Sequence, residues 1–182
     1  MDIQYSVIRS SRKTVSLEIR PDGSVLVRAP RKLSDRAIRE FVDSKAGWLR
    51  DKLQKYENRP ALPRLTAGEL DSLKKQAKDD LAARVARLAP LMGVSYGRIT
   101  IRAQHSRWGS CSKAGNLNFN CLLMLTPPEV REYVVIHELC HRKEMNHSAR
   151  FWAEVERVCP DFRTCRQWLK DKGAALIARL PG

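Results

Sequence analysis

The sequence predicts an α+β fold: a β-rich N-terminal subdomain with one helix over residues 1–60, then, over residues 66–182, a core of helices packed on a small antiparallel or mixed sheet. Three observations lead there. Alternation of apolar and polar residues, the period of a half-buried strand, is confined to residues 3–30 and to short stretches after Gly97. Over most of the remainder apolar residues recur every three or four positions, the period of a helix with one buried face. Between Glu57 and Leu65 neither period holds, and Pro60 and Pro63 punctuate a segment with the character of a linker.

Ile3, Tyr5 and Val7 alternate, as do Val15, Leu17 and Ile19, before Pro21-Asp22-Gly23-Ser24 supplies turn chemistry and Val25 to Val27 return as a strand. Ser34 is placed to cap a helix marked by Ile38, Val42, Trp48, Leu49, Leu53 and Tyr56. Past the linker, Thr66-Ala67-Gly68-Glu69 has the pattern of a capping box, and Leu70, Leu73, Ala77, Leu81, Val85 and Leu88 keep helical spacing up to Pro90 and Gly93. Its opposite face, with Lys74, Lys75, Lys78 and Arg84, is expected in solvent.

Ile99 and Ile101 alternate in a strand, and Asn116, Asn118 and Asn120 alternate with Leu117, Phe119 and Cys121 in another that runs on into apolar Leu122 to Leu125. Thr126-Pro127-Pro128-Glu129 starts a helix, with a Thr cap and prolines where no amide donor is missed. Ser148 can cap a further helix through Phe151, Trp152, Val155 and Val158. Asp161 opens the last, through Phe162, Cys165, Trp168, Leu169 and Leu176. These two helices are expected to form the wall behind the chemistry.

That chemistry concentrates in His137-Glu138-Leu139-Cys140-His141. A helix turns about 100° per residue, so His137 and His141 share a face, roughly 6 Å apart along the axis, and both can reach one metal ion. Zinc favours nitrogen donors in a tetrahedron, and a catalytic site supplies three protein ligands while one position stays open. His147, six residues on, is the third ligand expected, with Glu154 of the next helix as its alternative. Glu138 flanks the ion without binding it, placed to take a proton from water and hand it to a leaving group. Cys140 points to the other flank, as a core thiol.

Gln104 to Ser112 is polar, glycine-bearing and aromatic, unlike its flanks. Arg107 is expected to hold an anionic or planar substrate group, Trp108 either to join it or to fill the core, and Gly109 to let a backbone pass close. If the asparagine strand borders the cleft, its amides, Asn120 included, and its backbone could align an extended peptide; otherwise that ladder is simply wet. For an oxyanion the candidates are Tyr133, one turn before His137, with His105 and Arg107.

The net charge of +14 is spread along the chain: +7 over residues 1–64, +4 over 65–110 and +3 over 111–182. Such a surface attracts polyanions, so nucleotides, nucleic acid and acidic proteins are partners to consider. The five cysteines are odd in number and form no Cys-x-x-Cys pair, which speaks against a disulfide framework or a zinc ribbon. No apolar run approaches membrane-spanning length, and the first residues lack a basic stretch followed by an apolar one, so the expectation is a cytoplasmic protein with no membrane partner.

Arg107-Trp108-Gly109-Ser110-Cys111-Ser112, the asparagine strand, Pro127-Pro128, Tyr133 through His141, Asn146-His147-Ser148, Phe151-Trp152 and Pro160-Asp161-Phe162 together resemble the YgjP-like family of metal-dependent hydrolases. The resemblance implies a zincin-like core, His137, His141 and His147 as ligands of one zinc ion, and Glu138 as catalytic base. The family is similar to SprT-like and Wss-like proteases. Metzincins share the histidine spacing but have glycine where this chain has Glu144. The activity so implied is peptide hydrolysis. The alternatives are nucleoside triphosphate hydrolysis at the same zinc, with Arg107 and lysines on the phosphates, and a nucleic-acid-associated module in which zinc is structural.

Overall fold

The computed structural model describes residues 3–20, 23–57 and 62–181, which separate into two compact units, Met1–Ala61 and Leu62–Gly182. In the first, β1 (Tyr5–Ser10), β2 (Ser16–Ile19) and β3 (Val25–Pro30) form a sheet of order β1-β3-β2, with β1 parallel and β2 antiparallel to β3. Part of the Pro21-Asp22-Gly23-Ser24 turn lies outside the described residues. Val25, Val27 and Ala29 bury one face of β3 against Ile38, Val42 and Leu49.

The expected single helix is two. α1 (Asp35–Ser44) begins at Ser34, whose hydroxyl accepts from Ala37 N–H, and ends at Lys45, whose N–H turns back to Asp43 and Val42 carbonyls. α2 (Ala46–Glu57) then restarts. Lys45 sits at φ −108°, ψ 6°, outside helical geometry. The apolar period survives that break because both pieces bury residues in the same core. Residues 58–61 of the expected linker lie outside the described residues.

In the second unit, α3 (Ala67–Met92) opens with the full capping box: Thr66 Oγ1 accepts from Glu69 N–H and Glu69 accepts from Thr66 N–H. Hydrogen bonding to Thr66 holds the Glu69 carboxyl below the usual range. The helix closes at left-handed Gly93 (φ 66°). Three short strands follow, β4 (Ile99–Arg102), β5 (Gly109–Cys111) and β6 (Leu117–Asn120), in order β4-β6-β5, with β4 parallel and β5 antiparallel to β6. The apolar run after Asn120 does not extend the strand. Asn120 accepts from Leu122 N–H through Oδ1 and starts a 3-10 helix over Cys121–Leu125.

α4 (Pro128–Cys140) lacks the expected Thr126 cap. Thr126 Oγ1 instead donates to Leu123 C=O at 2.7 Å, closing the preceding turn, and proline fills the first helical position, where no N–H is missed. Val130, Val134, Val135, Ile136 and Leu139 are buried in the core that α4 shares with α3, β5, α5 (Ala149–Val158) and α6 (Phe162–Ile177). Side chains at the rim tie α4 to α3. Arg84 bonds Asp80 and Glu132, both at 2.8 Å, while Arg131 bonds Asp80 and the carbonyls of Leu123, Met124 and Thr126. The helix that carries the chemistry is thus held on several sides.

Candidate metal centre

His137 stands on the last full turn of α4 and His141 caps it. The chain then makes one tight turn, in which Glu144 N–H returns to Cys140 C=O, and re-enters a helix at Ser148, whose hydroxyl accepts from Phe151 N–H. His147 lies in this return. The ring nitrogens of His137, His141 and His147 all fall within 4.8 Å of one another, and the Nε2 atoms of His137 and His147 are 3.0 Å apart. The fully buried Phe151 ring is the common floor, with centroids 4.9, 4.6 and 4.7 Å from the three imidazoles. Trp152 stacks beside His147 at 5.8 Å.

The protonation of His137 and His141 suits a cation. Burial, then His141 and His147, push His137 down to about 3, and burial also lowers His141. His141 Nδ1–H can only donate to the Glu144 carbonyl at 3.0 Å, which leaves Nε2 bare. Three imidazoles converging on one point are a donor set that fits a divalent metal with a preference for nitrogen. Glu154, the alternative third ligand, is held elsewhere, by Lys143 at 3.0 Å and Arg157 at 3.1 Å.

Glu138 is 5% exposed, and its Oε2 is buried without a hydrogen-bond partner. Burial pushes its carboxyl up to about 8, against a smaller opposing pull from Arg107. It presses on β5 so closely that a Cβ at Gly109 would stand 2.6 Å from Oε1. Glycine is required here for space, since a methyl would displace the carboxylate. Gly109, Ser110 and Cys111 form one wall of a cleft of about 260 Å³, with the three histidines, Glu138 and Met145 completing it.

β5 is an edge strand with a definite polarity. Trp108 C=O accepts from Asn120 N–H at 2.8 Å and Ser112 N–H donates to Asn116 C=O at 3.0 Å, so residues 108, 110 and 112 turn their backbone groups to β6. Those of Gly109 and Cys111 turn to the open side. The expected rail of asparagines is corrected by the same register. β6 is the central strand, with both edges already paired.

Asn120 is fully buried. Its Nδ2 donates to Gln104 C=O at 2.7 Å and Arg107 C=O at 3.0 Å, so it holds the loop that leads into β5. Trp108 packs its indole on α6, where a Cβ at Gly173 would meet it at 3.0 Å. Tyr133 is also buried, its ring 5.9 Å edge-on to His137, and burial pushes its phenol up to about 12. Arg107 is exposed, with its charge felt at Glu138. Sequence reasoning missed Cys111 and Met145 as cleft walls. It also missed Arg142, which follows His141 and donates to Ser95 C=O and Lys113 C=O at 2.9 Å, clamping the turn beyond β5.

The profile of a family described as YgjP-like, metallopeptidase domain, matches residues 13–71 and 69–172. No curated protein matches the sequence. Among solved structures the chain is similar to the metallopeptidase zymogen abylysin of Pyrococcus abyssi, at 26% identity and TM-score 0.45 over 50% of this chain and 93% of that one. It is also similar to the zymogen jannalysin of Methanocaldococcus jannaschii, at 21% identity and TM-score 0.40 over 46% and 90%.

Proposed function

The chain belongs to the YgjP-like metallopeptidase family, and from that premise we propose that it is a zinc-dependent peptidase in which His137, His141 and His147 hold one zinc ion and Glu138 is the general base. The observation that carries this reading is the Glu138 carboxyl group, whose Oε2 is buried without a partner, beside three converging imidazoles at the open edge of β5.

When bound, the metal supplies a Lewis acid that polarises a carbonyl and lowers the pKa of water. The protein's own groups do the rest. An extended peptide adds to β5, its backbone bonding the N–H and C=O groups of Gly109 and Cys111. Glu138 takes a proton from the attacking water and delivers it to the leaving nitrogen; its raised affinity for a proton makes it competent for both transfers near neutral pH. Arg107 meets the substrate from the loop that Asn120 anchors, as the exposed cation nearest in effect to the base. Phe151 and Trp152 keep the ligand rings in place. The five free thiols support action in the reducing cytoplasm. Among the described residues no helix is long and apolar enough to cross a membrane.

Hydrolysis of a phosphoanhydride at the same centre has less support: among the described residues no lysine or arginine lines the cleft, and Arg107 stands outside that lining, reaching only a substrate that extends beyond it. The discriminating experiment incubates zinc-loaded protein with a peptide library and ribonucleoside triphosphates together and reads products by mass spectrometry, with Glu138→Gln as control. Peptide fragments that depend on Glu138 are expected. Glu138-dependent nucleotide monophosphate or pyrophosphate, with no peptide cleaved, would replace this reading.

A further inference from the structure

Arg166 lies outside the machinery described so far. It projects from α6 with its guanidinium carbon 4.8 Å from the centre of the Trp152 ring, and Trp152 in turn stacks 5.8 Å from His147. Arg166 is exposed, and among the described residues no carboxylate pairs with it. Its neighbours behave differently: Arg163 is bonded to Glu156 and Arg157 to Glu154.

A guanidinium resting on an indole is partly desolvated on that face and held in orientation, so less entropy is lost when its edge meets a planar anion. Its N–H fork matches a carboxylate. We propose that Arg166, held on Trp152, is a specificity-determining residue that reads a carboxylate of the substrate near the scissile bond. The inference rests on the peptidase reading and deepens it by naming the substrate class, an acidic peptide. The two stacking distances put the guanidinium within roughly 11 Å of the His147 ring, a span of about three residues of extended chain. The carboxylate belongs either to an Asp or Glu side chain or to a nearby peptide C-terminus.

The test measures binding apart from turnover. Zinc-loaded Glu138→Gln protein is titrated by calorimetry with peptides of one neutral sequence, amidated at the C-terminus. One series scans a single Glu through the three positions on either side of the scissile bond; a second series carries a free C-terminal carboxylate instead. One acidic position, or the free terminus, is expected to improve affinity roughly tenfold or more, the scale of a charge-assisted bidentate contact. In that background Arg166→Ala should erase the preference, Arg166→Lys should keep part of it, and Arg166→Glu should shift it to a Lys-containing peptide. A role confined to packing on Trp152 would not invert with charge.

Equal binding of acidic and neutral peptides, or a preference that persists in Arg166→Ala, overturns the inference. Cleavage of the same peptides by the parent protein separates the two readings. Cleavage with no acidic preference removes only the role of Arg166, whereas Arg166-dependent binding without any cleavage removes the peptidase and leaves the carboxylate site.

Discussion

The two sheets of this chain are topological copies. In each, the first strand runs parallel to the third and the second runs antiparallel to it, giving β1-β3-β2 and β4-β6-β5. The difference lies in the second strand and in what stands on it. β2 carries Leu17 and Ile19 into an apolar core, and its outward Glu18 pairs with Arg28 in solvent. β5 is Gly-Ser-Cys, stripped of bulk, and a buried carboxylate from α4 rests on its glycine. The ladder is therefore common scaffold. Chemistry becomes available where an edge strand gives up its side chains so that a helix can bring a charge against it.

The comparison is broken most completely by removing that charge. Glu138→Gln is expected to retain zinc, measured by elemental analysis, while peptide hydrolysis falls by about 10³-fold or more. His137→Ala should lose the metal together with the activity. Retention of the parental rate in Glu138→Gln would mean that the buried carboxylate is not the base.

Next comes the strand itself. A Cβ at residue 109 would lie 2.6 Å from Oε1 and 2.8 Å from Cγ of Glu138, so Gly109→Ala must push the carboxylate aside. A displacement on the order of 1 Å can cost about 10²-fold in turnover. Zinc content should stay at the parental level, since the three atoms nearest to an added Cβ all belong to Glu138 and none to a histidine. On the other sheet, Ser16→Ala in β2 removes a half-buried hydroxyl from a strand with no such guest, and activity should not change.

These two predictions also mark what could be read without the structure. His137, Glu138 and His141 were legible because a helix fixes their mutual positions through its period alone. The close approach of Gly109 was half legible: a glycine in a polar loop announces that something comes near, but not that the visitor is Glu138, 29 positions later. The loop contacts of Asn120 were not legible, because alternation with apolar residues looks the same whether an amide meets water or a loop 13 to 16 residues upstream. Leu122 to Leu125 looked like more strand because an apolar run carries no period of its own, and a side-chain cap decided the matter.

A smaller effect follows from pH in the metal-free protein. Glu138 has an unfolded value near 4.5 and a folded one of about 8, so between these the unfolded chain releases its proton first and stability falls as pH rises. His137 behaves oppositely. Its folded value of about 3 lies below the unfolded 6.5, so stability rises with pH through that window, and the lowered His141 adds to the rise. The melting temperature in chelator should therefore peak near about pH 6.5 and decline by pH 8, a net loss of about 1 kcal/mol once the residual histidine gain is set against the Glu138 loss. Glu138→Gln should flatten the alkaline limb. An unchanged limb would show that another group sets it.

The smallest effect belongs to the first sheet, and it sharpens the contrast. Glu18 and Arg28 pair at 3.1 Å, but their side chains are 50% and 46% exposed, so water screens the attraction and ordering both side chains offsets what is left. Glu18→Gln should cost no more than about 0.5 kcal/mol, with no change in peptide hydrolysis. The α3–α4 pairs of the second unit are different in kind. Arg131 is 15% exposed and also bonds three backbone carbonyls; Asp80 keeps Arg84 and Leu123 C=O keeps Thr126 Oγ1 in Arg131→Met, but the Met124 and Thr126 carbonyls lose this donor, which should cost about 2 kcal/mol. Thermal melts of the two variants decide the point: if Glu18→Gln destabilises as much as Arg131→Met, the ion pairs are equivalent and the second unit has no special claim to rigidity beneath its metal centre.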